Sequence, residues 1–157
     1  MINKNNKDKT LTRLVVVQAL YIYDISESEA ELALTNIENY YAVNNPLEEY
    51  TKNSEECIKV FDKSFLKKIF IQTIDNIKHI DIQITNLITK QQEMSQLSSV
   101  LRAILRAGTC ELLFFPTPYK VVIDEFVTLT REFYTDKEIS FTNSILDKVA
   151  NSTLKHE

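Results

Sequence analysis

Glycine is nearly missing from this sequence: there is one in 157 residues, Gly108. Phosphate-cradling loops and the dinucleotide fingerprint need several glycines, for tight turns and for close approach of backbone to phosphate. Neither can be built here in its usual form. The nucleophile elbow and the HExxH zinc motif are absent too. The two histidines, His79 and His156, belong to no recognisable metal-ligand pattern, so no metal is expected. The two cysteines, Cys57 and Cys110, stand far apart among apolar neighbours. They read as small buried hydrophobes in a reducing compartment, not as a disulfide. With only three prolines, little interrupts a helix. No apolar run approaches the roughly 20 residues of a membrane span. The opening MINKNNKDKT is polar and unlike a secretory leader. The expectation is a cytoplasmic protein without membrane contact, catalytic site or cofactor.

What is present is ordinary for a globular chain: 44% hydrophobic and 25% charged residues, enough for one domain with a core. Charge is uneven, and that matters more than the net of −4. Before position 14, Lys4, Lys7, Lys9 and Arg13 face only Asp8. From Asp24 to Glu56, nine acids face Lys52 alone. A basic arm beside an acidic stretch points to a localised anion site, or else to a solubilising terminus and a solvated face.

Hydrophobic spacing predicts helix after helix. Leu11 to Asp24 is apolar on most faces. Ser26 and Glu29 can form a capping box for a helix to about Tyr41, burying Leu32, Ala33, Ile37 and Tyr40. Asn45-Pro46 breaks the chain, with a short helix possible from Pro46 to Lys52 inside a linker from Val43 to Glu56. Phe61, Phe65, Ile69, Ile74, Ile77 and Ile80 keep helical spacing. Ile80 to Ile88 alternates like a strand, but no partner strand is evident, so helix is favoured. Ser95 can start a helix carrying Leu97, Leu101, Ile104, Leu105 and Leu112, in which Gly108 would let another helix approach closely. Thr117-Pro118 starts the next, with Val122, Phe126, Leu129 and Phe133 on one side. Tyr134 to Ser140 reads as a polar turn before a last helix near Phe141. The fold class is all-α, with two small helical bundles packed together. The division is a basic arm over 1–10, an N-terminal subdomain over about 11–88 and a C-terminal one over about 95–154.

Three stretches, read together and in order, resemble the NusB family. VVVQALYIYDIS (Val15 to Ser26) is similar to its first helix, with the core A-V-Q-A-L-Y. LRAILRAGTCELLFFPTPYKVVIDEFVTLTREF is similar to L-R-x-A-x-Y-E-L, a proline loop, then P-x-K-V-x-I-N-E-A-V-E-L-A-K-x-F. FTNSILDKVA is similar to F-V-N-G-V-L-D-K-x-A. The resemblance covers the first helix and most of Ser98 to Ala150. It implies an all-helical adaptor that binds the boxA element of ribosomal RNA leader transcripts. Its partner there is NusE, also a small-subunit ribosomal protein, within an RNA polymerase antitermination complex. The same fold heads some ribosomal RNA methyltransferases; a chain of this length is expected to lack that second domain.

The resemblance also implies site residues. The family's arginine-rich start of the first helix grips RNA. Lys9 and Arg13 fall at its basic positions, Thr10 where another arginine is usual, and Lys4 and Lys7 just ahead. Fewer arginines mean fewer bidentate phosphate contacts. Gln18 and Tyr21 match that helix; Tyr21 either stacks on an unpaired base or belongs to the core, and Gln18 contacts RNA or a neighbouring segment. Lys120 matches P-x-K-V, as an anion contact near a helix start or as a solvated lysine. Phe141 and Asn143 match F-V-N, Phe141 as a contact or a core anchor, Asn143 as a contact or a cap. Ser144, Cys110, Asp124, Phe126 and Thr130 depart from the pattern, which implies a repacked C-terminal bundle. The NusE surface is expected on that bundle, with Glu93, Arg102 and Glu111 as a guess. A homodimer is an open alternative, since the family includes dimers. A helical protein-binding scaffold without RNA binding is the competing function.

Overall fold

The computed structural model describes residues 8–43, 61–89 and 93–154. Among these, seven α-helices and one 3-10 turn form the structure, and no strand occurs. The helices are α1 (Lys9–Ser26), α2 (Ala30–Val43), α3 (Lys63–Asp75), α4 (Ile77–Leu87), α5 (Ser99–Phe114), α6 (Tyr119–Phe133) and α7 (Asp136–Leu154). The predicted linker and its short helix lie outside the described residues from Asn44 on, as do Lys4 and Lys7.

Two helices organise the rest. α1 packs on α2, α3, α5 and α6, and α5 packs on α1, α3, α4, α6 and α7. Both bury polar as well as apolar residues, Thr12 and Arg13 in α1 and Arg106, Thr109 and Glu111 in α5, as a helix enclosed by others must. Val15, Val16, Val17, Ala19 and Leu20 are buried in α1, and every residue from Ala103 to Glu111 is buried in α5. One hydrophobic core runs through both ends of the chain. α4 lies on α5 and α7 and also touches α3.

Local chemistry sets the helix ends. The Asp8 side chain accepts from the Leu11 N–H at 3.0 Å and starts α1. The Asp62 side chain does the same for α3, at 3.1 Å from the Phe65 nitrogen. The two starts are tied together: the Thr12 hydroxyl donates to the Asp8 carbonyl at 2.7 Å and accepts from the Asp62 N–H at 2.8 Å. At the far end, the Tyr134 hydroxyl accepts from the Leu101 N–H, an orphan donor in the first turn of α5, at 3.1 Å.

Several boundaries and faces differ from the sequence reading. The Phe61–Ile80 period is cut at Asn76, whose side-chain amide donates to the Gln72 carbonyl at 2.8 Å and turns the chain from α3 into α4. Ser26 ends α1 instead of capping α2, its hydroxyl bonded to the Ile22 carbonyl. α2 buries Ala33, Leu34, Ile37 and Tyr41, while Leu32 and Tyr40 are each 53% exposed. Ser95 sits in the 3-10 turn Met94–Gln96, and α5 begins at Ser99. Pro118, not Thr117, is the residue before α6. The expected polar turn shrinks to Tyr134 and Thr135, because α7 already begins at Asp136. Acidic Asp136 and Glu138 suit a first turn, where the helix dipole favours negative charge. The helical reading of Ile80 to Ile88 holds: Ile80 and Ile84 are buried and Ile82 is exposed.

Gly108 does let helices approach. A Cβ there would sit 3.0 Å from Leu146 Cδ2 and 3.4 Å from Phe126 Cδ2. Both side chains are fully buried, and Phe126 is one of the departures from the family pattern. Gly108→Ala relieves a helix cost of about 0.5–1 kcal/mol but presses on Leu146. The two effects are expected to offset, leaving the unfolding free energy within about 1 kcal/mol of the parent. A loss above about 2 kcal/mol in a denaturant titration would mean that Leu146 has no second rotamer to take.

Candidate nucleic-acid interface

α1 and α3 begin, and α5 ends, at one end of the molecule. Lys9 is exposed there, its Nζ 4.9 Å from the centre of the Phe65 ring. A cation over an aromatic face is held in place while its charge stays in water. Phe65 in turn meets Phe115 edge to face, with ring centres 5.9 Å apart.

Arg13 lies one turn further along the same face of α1, and it points inward. Its side chain is 4% exposed and that of Glu111 is 0% exposed. Arg13 Nε donates to both Glu111 carboxylate oxygens at 3.1 and 3.0 Å, and an Nη donates at 2.7 Å. Glu125 approaches within 3.9 Å, and its carboxylate also accepts from the Thr10 hydroxyl at 3.0 Å. Two carboxylates around one guanidinium leave no positive field for a phosphate. In this conformation Arg13 joins α1 to α5 and does not reach solvent. Glu111, guessed at for a protein contact, is likewise buried and unavailable.

The other arginines of the LRAILR stretch are also engaged. Arg102 donates to Asp24 at 2.9 and 2.6 Å and to the carbonyls of Met94 and Leu97 at 3.0 Å. Arg106 grips Asp81 through two parallel bonds at 2.9 and 2.8 Å, with Asp24 3.6 Å away. Burial alone would lower the Arg106 pKa. The hydrogen bonds and charges of Asp81 and Asp24 overcome that and hold it above its ordinary value. Asp24 thus belongs to an internal network and not to a free acidic face.

The remaining sequence-predicted residues divide between core and surface. The Gln18 Oε1 accepts from the Tyr41 hydroxyl at 2.5 Å, linking α1 to α2. Burial raises the Tyr41 phenol's pKa more than that bond lowers it. Tyr21 and Phe141 are half-buried and pack on the core. Tyr21 is twelve residues from Lys9, about 18 Å along the helix axis, and about 120° around it, so the two do not form one contact. Cys110 is fully buried, and its thiol is pushed up to about 11 by that burial, as expected of an inert cysteine.

Lys120 and Asn143, distant in sequence, line the same groove between α6 and α7, about 410 Å³ in volume. Tyr119 and Arg131 also line it, and the sequence reading missed both. Their helical spacing along α6 was visible; that α7 lies beside that face was not. Asp124 and Asp147 share the groove, so its charge is mixed. Among the described residues no group of three His, Cys, Asp or Glu could hold a metal, and no helix is long and apolar enough to cross a membrane.

A sequence profile of the NusB family matches residues 10–151. A transcription antitermination protein NusB of Rickettsia africae is 33% identical over 156 residues, covering 98% of this chain and 97% of the relative. The Rickettsia conorii protein of the same name is 34% identical over 151 residues, covering 94% of each. Among solved structures, T. maritima NusB superposes with a TM-score of 0.73 at 26% identity, covering 93% of this chain and 92% of that one. A chain from a crystal structure of antitermination factors NusB and NusE with double-stranded RNA gives a TM-score of 0.69 at 20% identity, covering 92% and 96%. At that identity the likeness is one of fold.

Proposed function

This chain belongs to the NusB family, and from that premise we propose that it is a cytoplasmic, non-catalytic adaptor that binds boxA RNA of ribosomal RNA transcripts together with NusE. The observation that carries the reading is the family match, which runs from the first turn of α1 nearly to the end of α7. The structural relative solved with NusE and RNA supports both partners. A place in the RNA polymerase antitermination complex follows from the same reading.

The proposed RNA contacts begin with Lys4 and Lys7, ahead of α1, and with Lys9, exposed at its start. Lys120 and Asn143 form a second contact in the α6–α7 groove, with Arg131 and Tyr119 beside them. Tyr21, Gln18 and Phe141 are edge residues of the surface, half in the core. Arg13 serves RNA binding indirectly, by holding the start of α1 against α5. The buried Arg13 is also what favours the second reading, a protein-binding scaffold with little RNA affinity.

The test is a titration of fluorescent boxA RNA, with a scrambled RNA as control, with and without NusE, at two salt concentrations. The expected result is selective binding that NusE strengthens and salt weakens, since each phosphate-bound cation releases counterions. Lys9→Ala should reduce the salt slope by about 0.7. Absence of selective binding even with NusE would leave the scaffold.

A further inference from the structure

We propose that the groove between α3 and the C-terminal end of α5 is an additional contact for single-stranded RNA, taking nucleotides that flank the element bound at the start of α1. The inference rests on the RNA-binding reading above and extends its path.

The groove measures about 570 Å³ and is lined by Lys67, Lys68, Phe114, Phe115, Ser64 and Gln72, among others. Lys67 and Lys68 are exposed, and no ion pair engages either among the described residues. Phe114, a large apolar ring, is 40% exposed. Among the described residues no carboxylate lines this groove, whereas acids line the α1–α6 groove (Asp8, Glu125, Glu132), the α6–α7 groove and the one beside Asp81 and Glu93. Two free cations track a phosphate backbone, an exposed ring offers a face for a base, and Ser64 and Gln72 supply hydrogen-bonding side chains. That combination suits unpaired nucleic acid, because every base has a face to stack while a duplex hides it. A protein strand or helix would leave both lysines unmatched unless it were acidic.

Continuity places the groove on the RNA path. Phe115 lines it and meets Phe65, and Phe65 lies under Lys9. A strand held at Lys9 can therefore pass over Phe65 into the groove without crossing the acids near Glu125. The Thr12 link between Asp8 and Asp62 keeps the starts of α1 and α3 side by side, so the two contacts keep their spacing.

The experiment uses the full chain with NusE and two RNAs: boxA alone, and boxA with single-stranded extensions on both sides. A Lys67→Gln/Lys68→Gln variant should bind the extended RNA about tenfold more weakly, with a salt slope lower by about 1.4 for two lost contacts. Its affinity for boxA alone should not change. Phe114→Ala should lose about fivefold or more on the extended RNA at an unchanged slope. Lys67→Arg/Lys68→Arg, which keeps both charges, should restore the binding lost in the glutamine variant. If the parent binds boxA alone and the extended RNA equally, or if the variants match the parent on both, the groove proposal falls and the adaptor reading stands. If the parent binds neither RNA selectively, both fall together. If the variants weaken association with NusE in the absence of RNA, the groove is a protein contact and the proposal is overturned.

Discussion

Arg13→Ala is expected to cost about 3–5 kcal/mol of folding stability, the range for breaking one side of a buried ion pair. The reason lies in what remains. Glu111 is fully buried, and Arg13 makes all three of its side-chain hydrogen bonds. Removing the guanidinium strands a carboxylate in the core between α1 and α5, where water cannot replace it. Glu111→Ala strands the guanidinium, although Glu125 lies 3.9 Å away and softens that loss. Replacing both, as Arg13→Met with Glu111→Leu, should return most of the stability, because well-packed apolar groups substitute for buried pairs at little cost. Denaturant midpoints of the two single variants and the double variant give the coupling directly. A cost below about 1 kcal/mol for Arg13→Ala would mean that the arginine is not held as described. The double variant also separates structure from RNA contact. Its salt slope for boxA RNA should equal the parent's; a slope lower by about 0.7 would show that Arg13 swings out to a phosphate.

Arg106→Ala should cost less, about 2–3 kcal/mol, between a charged hydrogen bond and a fully buried pair. Arg106 ties α4 to α5 through Asp81 and reaches the end of α1 through Asp24. The Asp81 and Asp24 side chains are 26% and 23% exposed, so water can reach them once the arginine is gone. That access is why the cost falls short of the Arg13 case. Arg106→Lys keeps the charge but not the planar fork and should recover less than half of the loss. Hydrogen exchange should find the opening concentrated in α4, an eleven-residue helix whose fully buried anchors are Ile80 and Ile84. Parent-like exchange in α4 would show that those two isoleucines hold the helix without the ion pair.

Much of this protein was readable from local patterns. The all-helical class, the enclosed first helix and the close approach at Gly108 all rest on short-range effects: spacing of apolar residues, end caps and the steric smallness of glycine. The same patterns were ambiguous where a helix has apolar residues on two sides. In α2, Leu32 and Tyr40 fit a helical stripe as well as Leu34 and Tyr41 do. Packing against α1 and α3 chose the second set. Asn76 was missed because the apolar period continues across the turn it makes.

The functional surface divides in the same way. The family resemblance marked Lys9, Lys120 and Asn143 as candidates, while the apolar pattern began the first helix at Leu11 and left Lys9 in the basic arm; the structure starts α1 at Lys9. Sequence by itself could not say that Lys120 and Asn143 share a groove, that Lys67 and Lys68 stand beside Phe114, or that Arg13 turns inward. Arg13 finds its partner 98 residues away. No local spacing encodes such a pair; only the packing of α1 against α5 brings the two charges together and withdraws both from solvent.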